Sequence, residues 1–120
     1  MWDGINRRRF PRVNYPCYIR LRKKGSPQEF LTQTENISCG GIAVALEKNL
    51  GLFEGVKLKI DLKDSQPLIE CDGTIVWAVR RSDPLDKKER FDTGIEFANV
   101  KKSDEARIET IVQSLLKKEQ

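Results

Sequence analysis

Val56-Lys57-Leu58-Lys59-Ile60-Asp61-Leu62 alternates apolar and charged residues without a fault over seven positions. In an extended strand, successive side chains point to opposite faces. Such alternation therefore marks a strand with one face in a core and one in water. The neighbouring segments read the same way. Tyr18-Ile19-Arg20-Leu21-Arg22 repeats the alternation, and Lys23-Lys24-Gly25-Ser26-Pro27 is a turn. Glu29-Phe30-Leu31-Thr32-Gln33-Thr34 is rich in strand formers. Ile42-Ala43-Val44-Ala45-Leu46 is a continuous apolar run that suits a buried strand, and Leu50 to Gly55 breaks it.

On the other side of 56–62, Leu68 to Val79 reads as a strand with Gly73 in its middle, the mark of a bulge or sharp bend. Arg80 to Arg90, with Asp83-Pro84, reads as a loop, and Phe91 to Phe97 as the last strand. Then the period changes. Ile108, Ile111, Val112 and Leu115 fall on one face at helical spacing. Ser103 is the expected N-cap, with Asp104 and Glu105 in the first turn and Lys117 and Lys118 in the last, as the helix dipole favours. About six short strands and one C-terminal amphipathic helix predict an all-β domain, a small antiparallel barrel or sandwich with the helix over an open end or flank. The expected limits are a flexible basic N-terminal arm over 1–15, the barrel over 16–98 and the helix over 103–118.

At 120 residues the chain fits one domain with one core. Its 38% hydrophobic and 33% charged content suits a globular protein. No apolar run reaches membrane-spanning length, and Met1-Trp2-Asp3-Gly4 leads directly into arginines rather than a signal peptide. The expected compartment is cytoplasmic. Cys17, Cys39 and Cys71 are widely spaced, and there is no histidine. That disfavours a zinc site and a disulfide framework, so the cysteines read as reduced small hydrophobes and no metal is expected. Without histidine the commonest general base is missing. The acids are scattered among lysines, so no enzyme is expected.

The net charge of +4 is unevenly placed. Residues 1–24 carry eight basic side chains and one acid, whereas the remaining 96 carry 14 basic and 17 acidic groups. A one-ended excess of this kind suits an arm that meets an anion. Within it, Arg7-Arg8-Arg9-Phe10-Pro11-Arg12 stands out. The guanidinium is flat, permanently charged and forked, so it can bond a phosphate bidentately, pair with O6 and N7 of guanine, or stack on a purine. Pro11 restricts Phe10 to extended geometry, which sets Arg8 and Arg12 about 13 Å apart. A second segment, Asn36-Ile37-Ser38-Cys39-Gly40-Gly41, has the composition of a turn.

In this order and on this scaffold, the two segments resemble the PilZ domain family, whose signature is RxxxR followed by [D/N]xSxxG. The matching positions are Arg8 and Arg12, then Asn36, Ser38 and Gly41. Gly73-Thr74-Ile75-Val76-Trp77 and Thr93-Gly94-Ile95-Glu96-Phe97 are similar to the family's later strands, so the likeness runs from about residue 7 to 116. The resemblance implies a six-stranded antiparallel barrel that binds cyclic di-GMP, with no further cofactor. The arginines would hold phosphates and guanine Hoogsteen edges. Asn36 and Ser38 would bond a guanine, and Gly41 would leave room for the base. Arg7, a basic residue just before RxxxR, implies an intercalated pair of ligand molecules, while Arg9 adds supporting charge. Trp77 resembles an aromatic near the ligand in some relatives, although a core or barrel-surface tryptophan fits its sequence equally well.

The role implied is a receiver that relays the signal to an effector protein in trans. Two alternatives stand beside it. A small RNA- or DNA-binding barrel would use the basic arm on phosphates, but it would want more interleaved aromatics than this chain has. A PilZ-like adaptor without ligand would be expected to lack the arginines.

Overall fold

The computed structural model describes residues 11–82, 85 and 88–118. Six strands form: β1 (Tyr18–Lys23), β2 (Glu29–Ile37), β3 (Gly41–Leu46), β4 (Gly55–Asp61), β5 (Ile69–Ser82) and β6 (Glu89–Ala98). One helix follows, α1 (Lys102–Lys118). The strands close into a barrel in the order β1-β2-β3-β6-β5-β4, each antiparallel to its neighbours. Closure removes the unpaired sheet edges that an open sheet of this size would expose.

The alternating stretch at 56–62 behaves as its pattern requires. Val56, Leu58, Ile60 and Leu62 are buried, while Lys57 and Lys59 face solvent. Ile19 and Leu21 of β1 and Ile69 and Cys71 of β5 meet them in the core. Ile37, Ile42, Val44, Ile75 and Ile95 complete it from the other strands. Each fully buried aliphatic of this kind stabilises the fold by about 1.5–3 kcal/mol relative to its exposed state.

The last residues of the expected arm belong to this packing. Val13 is buried and exchanges both backbone bonds with Ile37 at 3.0 Å, and the Tyr15 hydroxyl donates to the Leu62 carbonyl. Both carry apolar bodies that gain by leaving water. Arg7, Arg8 and Arg9 lie outside the described residues.

Three other boundaries shift. Helix α1 begins at Lys102, so Ser103 lies inside the first turn rather than at the cap; the Lys101 carbonyl accepts from Asp104 and Glu105. β2 continues to Ile37, so Asn36 is a strand residue and the turn itself spans 38–40. β5 and β6 extend through Ser82 and from Glu89 as a long hairpin, shortening the expected loop. Gly73 is not a bulge, since it keeps its register against Val56 and Phe97. It faces the core, where a Cβ would come within 2.6 Å of the Ile95 side chain and 3.1 Å of Leu58.

Ile108 and Val112 of α1 are buried in the barrel core, with Ile111 and Leu115 partly buried beside them. Two polar contacts fix the helix. Arg107 forks onto Asp64 in the β4–β5 loop, at 2.9 Å from Nε and 2.8 Å from Nη2, and reaches Asp104 at 3.2 Å. The Arg107 guanidinium holds the Asp64 carboxyl below its usual value of 3.8. On the other side of the helix, the Cys39 thiol donates to Glu109 Oε2 at 2.7 Å. Burial and this acceptor push the Cys39 thiol up to about 12. Cys17 and Cys71 are buried free thiols, as their sequence context predicts.

Candidate functional site

Two bulges shape one side of the barrel. On β2 the register shifts between Thr34 and Asn36. Thr34 and Ile37 are both buried, so Glu35 and Asn36 together occupy the outer face. On β5 the register shifts between Ile75 and Trp77, which puts Val76 and Trp77 outward beside the buried Ile75. A bulge re-aims side chains without ending the strand.

Between these flanks lie β3 and β6. The positions of β3 that alternate with the core-facing Ile42, Val44 and Leu46 are Gly41, Ala43 and Ala45; Gly41 and Ala43 are themselves buried, and Gly94 at the centre of β6 is buried beneath Trp77. The registers align one row across four strands: Asn36 opposite Ala43, Ala43 opposite Gly94, Gly94 opposite Trp77. At ordinary strand spacing the row spans about 14 Å. It has a polar end, a floor of small residues and an aromatic end, which makes a shallow trough.

Each end is positioned by named contacts. Arg12 Nη1 donates to Asn36 Oδ1 at 2.8 Å, so the second arginine of the RxxxR motif reaches the trough. The Trp77 indole is half-buried and lies over Gly94, filling the space where any side chain at 94 would stand. Trp77 is therefore on the outer surface rather than in the core.

Ser38 and Gly41 hold the turn below Asn36. The Ser38 hydroxyl accepts from Gly40 N at 3.1 Å and Gly41 N at 3.2 Å, and it lies 3.3 Å from the Gly41 carbonyl. Ser38 is buried, so its hydroxyl is committed to the turn. Gly41 serves the β3–β6 seam: a Cβ there would collide with the Ile95 carbonyl of β6. Both residues shape the site from beneath.

The structure also brings in residues that the motifs do not contain. Across β3, where Ala45 pairs with Asp92, Glu35 lies close enough to Asp92 to feel its charge. Burial and then the Asp92 carboxylate raise the Glu35 pKa, with Arg81 opposing. Arg81 Nη2 stands 3.3 Å from Asp92 Oδ1. Glu35 is thus held back from ionising, and Arg81 offsets part of that. Ala43 and Gly94, the floor of the trough, also went unread. Their signal was small size at strand centres, which has meaning only once the register is known. Among the described residues no group of acids and cysteines is arranged to hold a metal ion, and no helix is long and apolar enough to cross a membrane.

No curated protein matches the sequence. Solved structures do match the fold. The PilZ domain of Escherichia coli YcgR with c-di-GMP superposes with a TM-score of 0.72 at 19% identity, covering 93% of each chain. The K. pneumonia MrkH–c-di-GMP complex gives 0.73 at 23% identity, covering 92% of this chain and 52% of that one. Bacillus subtilis MotI/DgrA, an inhibitor of motility, gives 0.67 at 22% identity, covering 92% and 50%. The chain thus spans about half the length of MrkH and MotI. A PilZ domain match extends over residues 6–114, nearly the whole sequence, and the chain belongs to the PilZ domain family.

Proposed function

We propose that the chain is a receiver for cyclic di-GMP, bound in the trough between Asn36 and Trp77. The observation that carries this reading is the single row Asn36–Ala43–Gly94–Trp77 with Arg12 already on Asn36. The ligand is a dianion with two flat purines. The trough offers a floor free of bulky side chains, an indole face for stacking and forked cations for phosphates or guanine edges. YcgR and MrkH were solved with c-di-GMP on this fold, which supports the same ligand class here.

Arg8 and Arg12 carry the main contacts in this reading. Arg7 favours two intercalated ligand molecules, and Arg9 adds charge. Asn36 offers its amide to a guanine. Ser38 and Gly41 act by holding the turn and the seam. The role is reception rather than catalysis. An N-terminal arm that orders on the ligand would relay the event to an effector protein in trans.

Calorimetric titration with cyclic di-GMP tests this, with GTP and an oligonucleotide as controls. Cyclic di-GMP alone should bind. Arg8→Ala and Arg12→Ala should each lose about 1.5–3 kcal/mol, tenfold or more in affinity, with stability unchanged. Equal binding of the oligonucleotide, or unchanged affinity in both variants, would overturn the proposal. A ligand ratio of one would remove the intercalated pair and keep the receiver.

A further inference from the structure

The opposite side of the barrel poses a separate problem. In the strand order β1-β2-β3-β6-β5-β4, the β1–β4 seam lies directly across from the β3–β6 seam that floors the trough. On its outer face Arg20 stands opposite Lys59, and Arg22 opposite Lys57. Like charges directly opposite in an antiparallel pair oppose pairing. The buried stripes of β1 and β4 outweigh that cost, so the strands form regardless.

Carboxylates stand on the outer side of these cations, Glu29 opposite Arg22, Asp72 opposite Lys57 and Glu70 opposite Lys59, but none stands between the two strands or beside Arg20 on its own row. Among the described residues, Arg22 and Lys59 have no ion-pair partner, and the carboxylate nearest Arg20 is Glu29 at 3.9 Å. Only Lys57 has a closer one, Asp72 at 3.5 Å. Beside the cations the surface is apolar. Leu31, opposite Arg20 on β2, is 71% exposed, Tyr18 is 53% exposed and Leu68 is 45% exposed. Tyr18, Leu31, Leu68, Arg20 and Lys59 line one groove of about 530 Å³.

We infer that this face docks a protein segment carrying carboxylates next to aliphatic side chains. A carboxylate seated between Arg20 and Lys59 would turn a repulsive pair into two attractive ones. An aliphatic neighbour would cover Leu31 and Leu68. Continuous polyanions fit less well. Glu29, Glu70 and Asp72 stand at the ends of these cation rows, and Asp61, opposite Tyr18, lines the groove beside them; these acids would repel a membrane surface or a nucleic-acid backbone, whereas a discrete carboxylate meets only the central cations. The face is remote from the trough, so its occupant and the trough's ligand would not compete.

The test uses the full chain, isotope-labelled for amide NMR, and a short blocked peptide with two glutamates set among leucines. Shifts should concentrate on Tyr18–Arg22, Leu31 and Lys57–Lys59. Replacing the peptide's glutamates by lysine, or its leucines by serine, should weaken binding about tenfold, the scale of one charged contact. The double variant Arg20→Gln/Lys59→Gln, and separately Leu31→Ser, should lose a similar factor while thermal stability holds. The inference fails if the peptide leaves these signals unmoved at millimolar concentration. It fails equally if the double variant binds as before, or if phosphatidylglycerol vesicles or a single-stranded oligonucleotide bind this face more tightly than the peptide.

Discussion

On the β1–β4 side of the barrel, alternate residues point inward without interruption, and long charged side chains cover the outside. On the β3–β6 side, bulges interrupt both flanking strands, and the positions that alternate with the core are the small residues Gly41, Ala43, Ala45 and Gly94, mostly buried between Asn36 and Trp77. Regular alternation makes a wall of long side chains over a fully apolar inner face. The irregular half gives up regular pairing at two points and gains a recess. The core beneath both is continuous, so the difference lies in what each strand presents outward. Helix α1 is tied to both halves, by Arg107 to Asp64 next to β4 and by Glu109 to Cys39 in the site's turn.

This contrast can be broken in graded steps. The largest effect is expected from Gly41→Ala, whose Cβ would force β3 off the β6 backbone. Denaturant unfolding should show a loss of about 3 kcal/mol, and the trough should lose its ligand. Arg107→Ala cuts the helix from the regular half and should cost about 1.5–3 kcal/mol, since it removes charged bonds to two partly buried carboxylates.

The same contact gives a pH dependence. Asp64 has its pKa lowered in the fold, so its contribution is complete above the ordinary value of 3.8 and disappears as pH falls through the lowered one. Acid titration of stability should show this decline, and Asp64→Asn should remove it.

Gly94→Ala is a smaller perturbation. It displaces the Trp77 indole from its seat, and the cost to stability should be about 1 kcal/mol. Tryptophan fluorescence should report the movement, and ligand affinity should fall by more than stability does. Least is expected from Lys59→Gln on the regular half. It removes the repulsion with Arg20 and the attraction to Glu70 together, so stability should stay within about 0.5 kcal/mol and trough binding should be unchanged.

The regular half was almost fully legible in the sequence. Alternation at 18–22 and 56–62 places every core residue of β1 and β4 correctly, because strand periodicity is local. The irregular half was legible as composition but not as shape. Asn36 reads as a turn residue because Asn, Ser and Gly surround it, yet pairing with β3 carries the strand through it. Gly73 reads as the bulge of β5, whereas the register breaks at Ile75/Trp77 and Gly73 is needed for close core packing. Ser38 and Gly41 are conspicuous in the motif, and the structure puts the hydroxyl of one and the bare Cα of the other into the scaffold.

The sequence by itself determined the strand count, the amphipathic helix, the one-ended positive charge and the paired motifs that mark the family. Each depends on neighbours within a few residues, so each can be read along the chain. Only the tertiary structure decided which residues share a row. Asn36 meets Trp77 across Ala43 and Gly94, and Arg20 meets Lys59, through hydrogen-bond registers set by barrel closure and two bulges. A shift of one residue in any of those registers would turn the row inside out, and no local pattern specifies it.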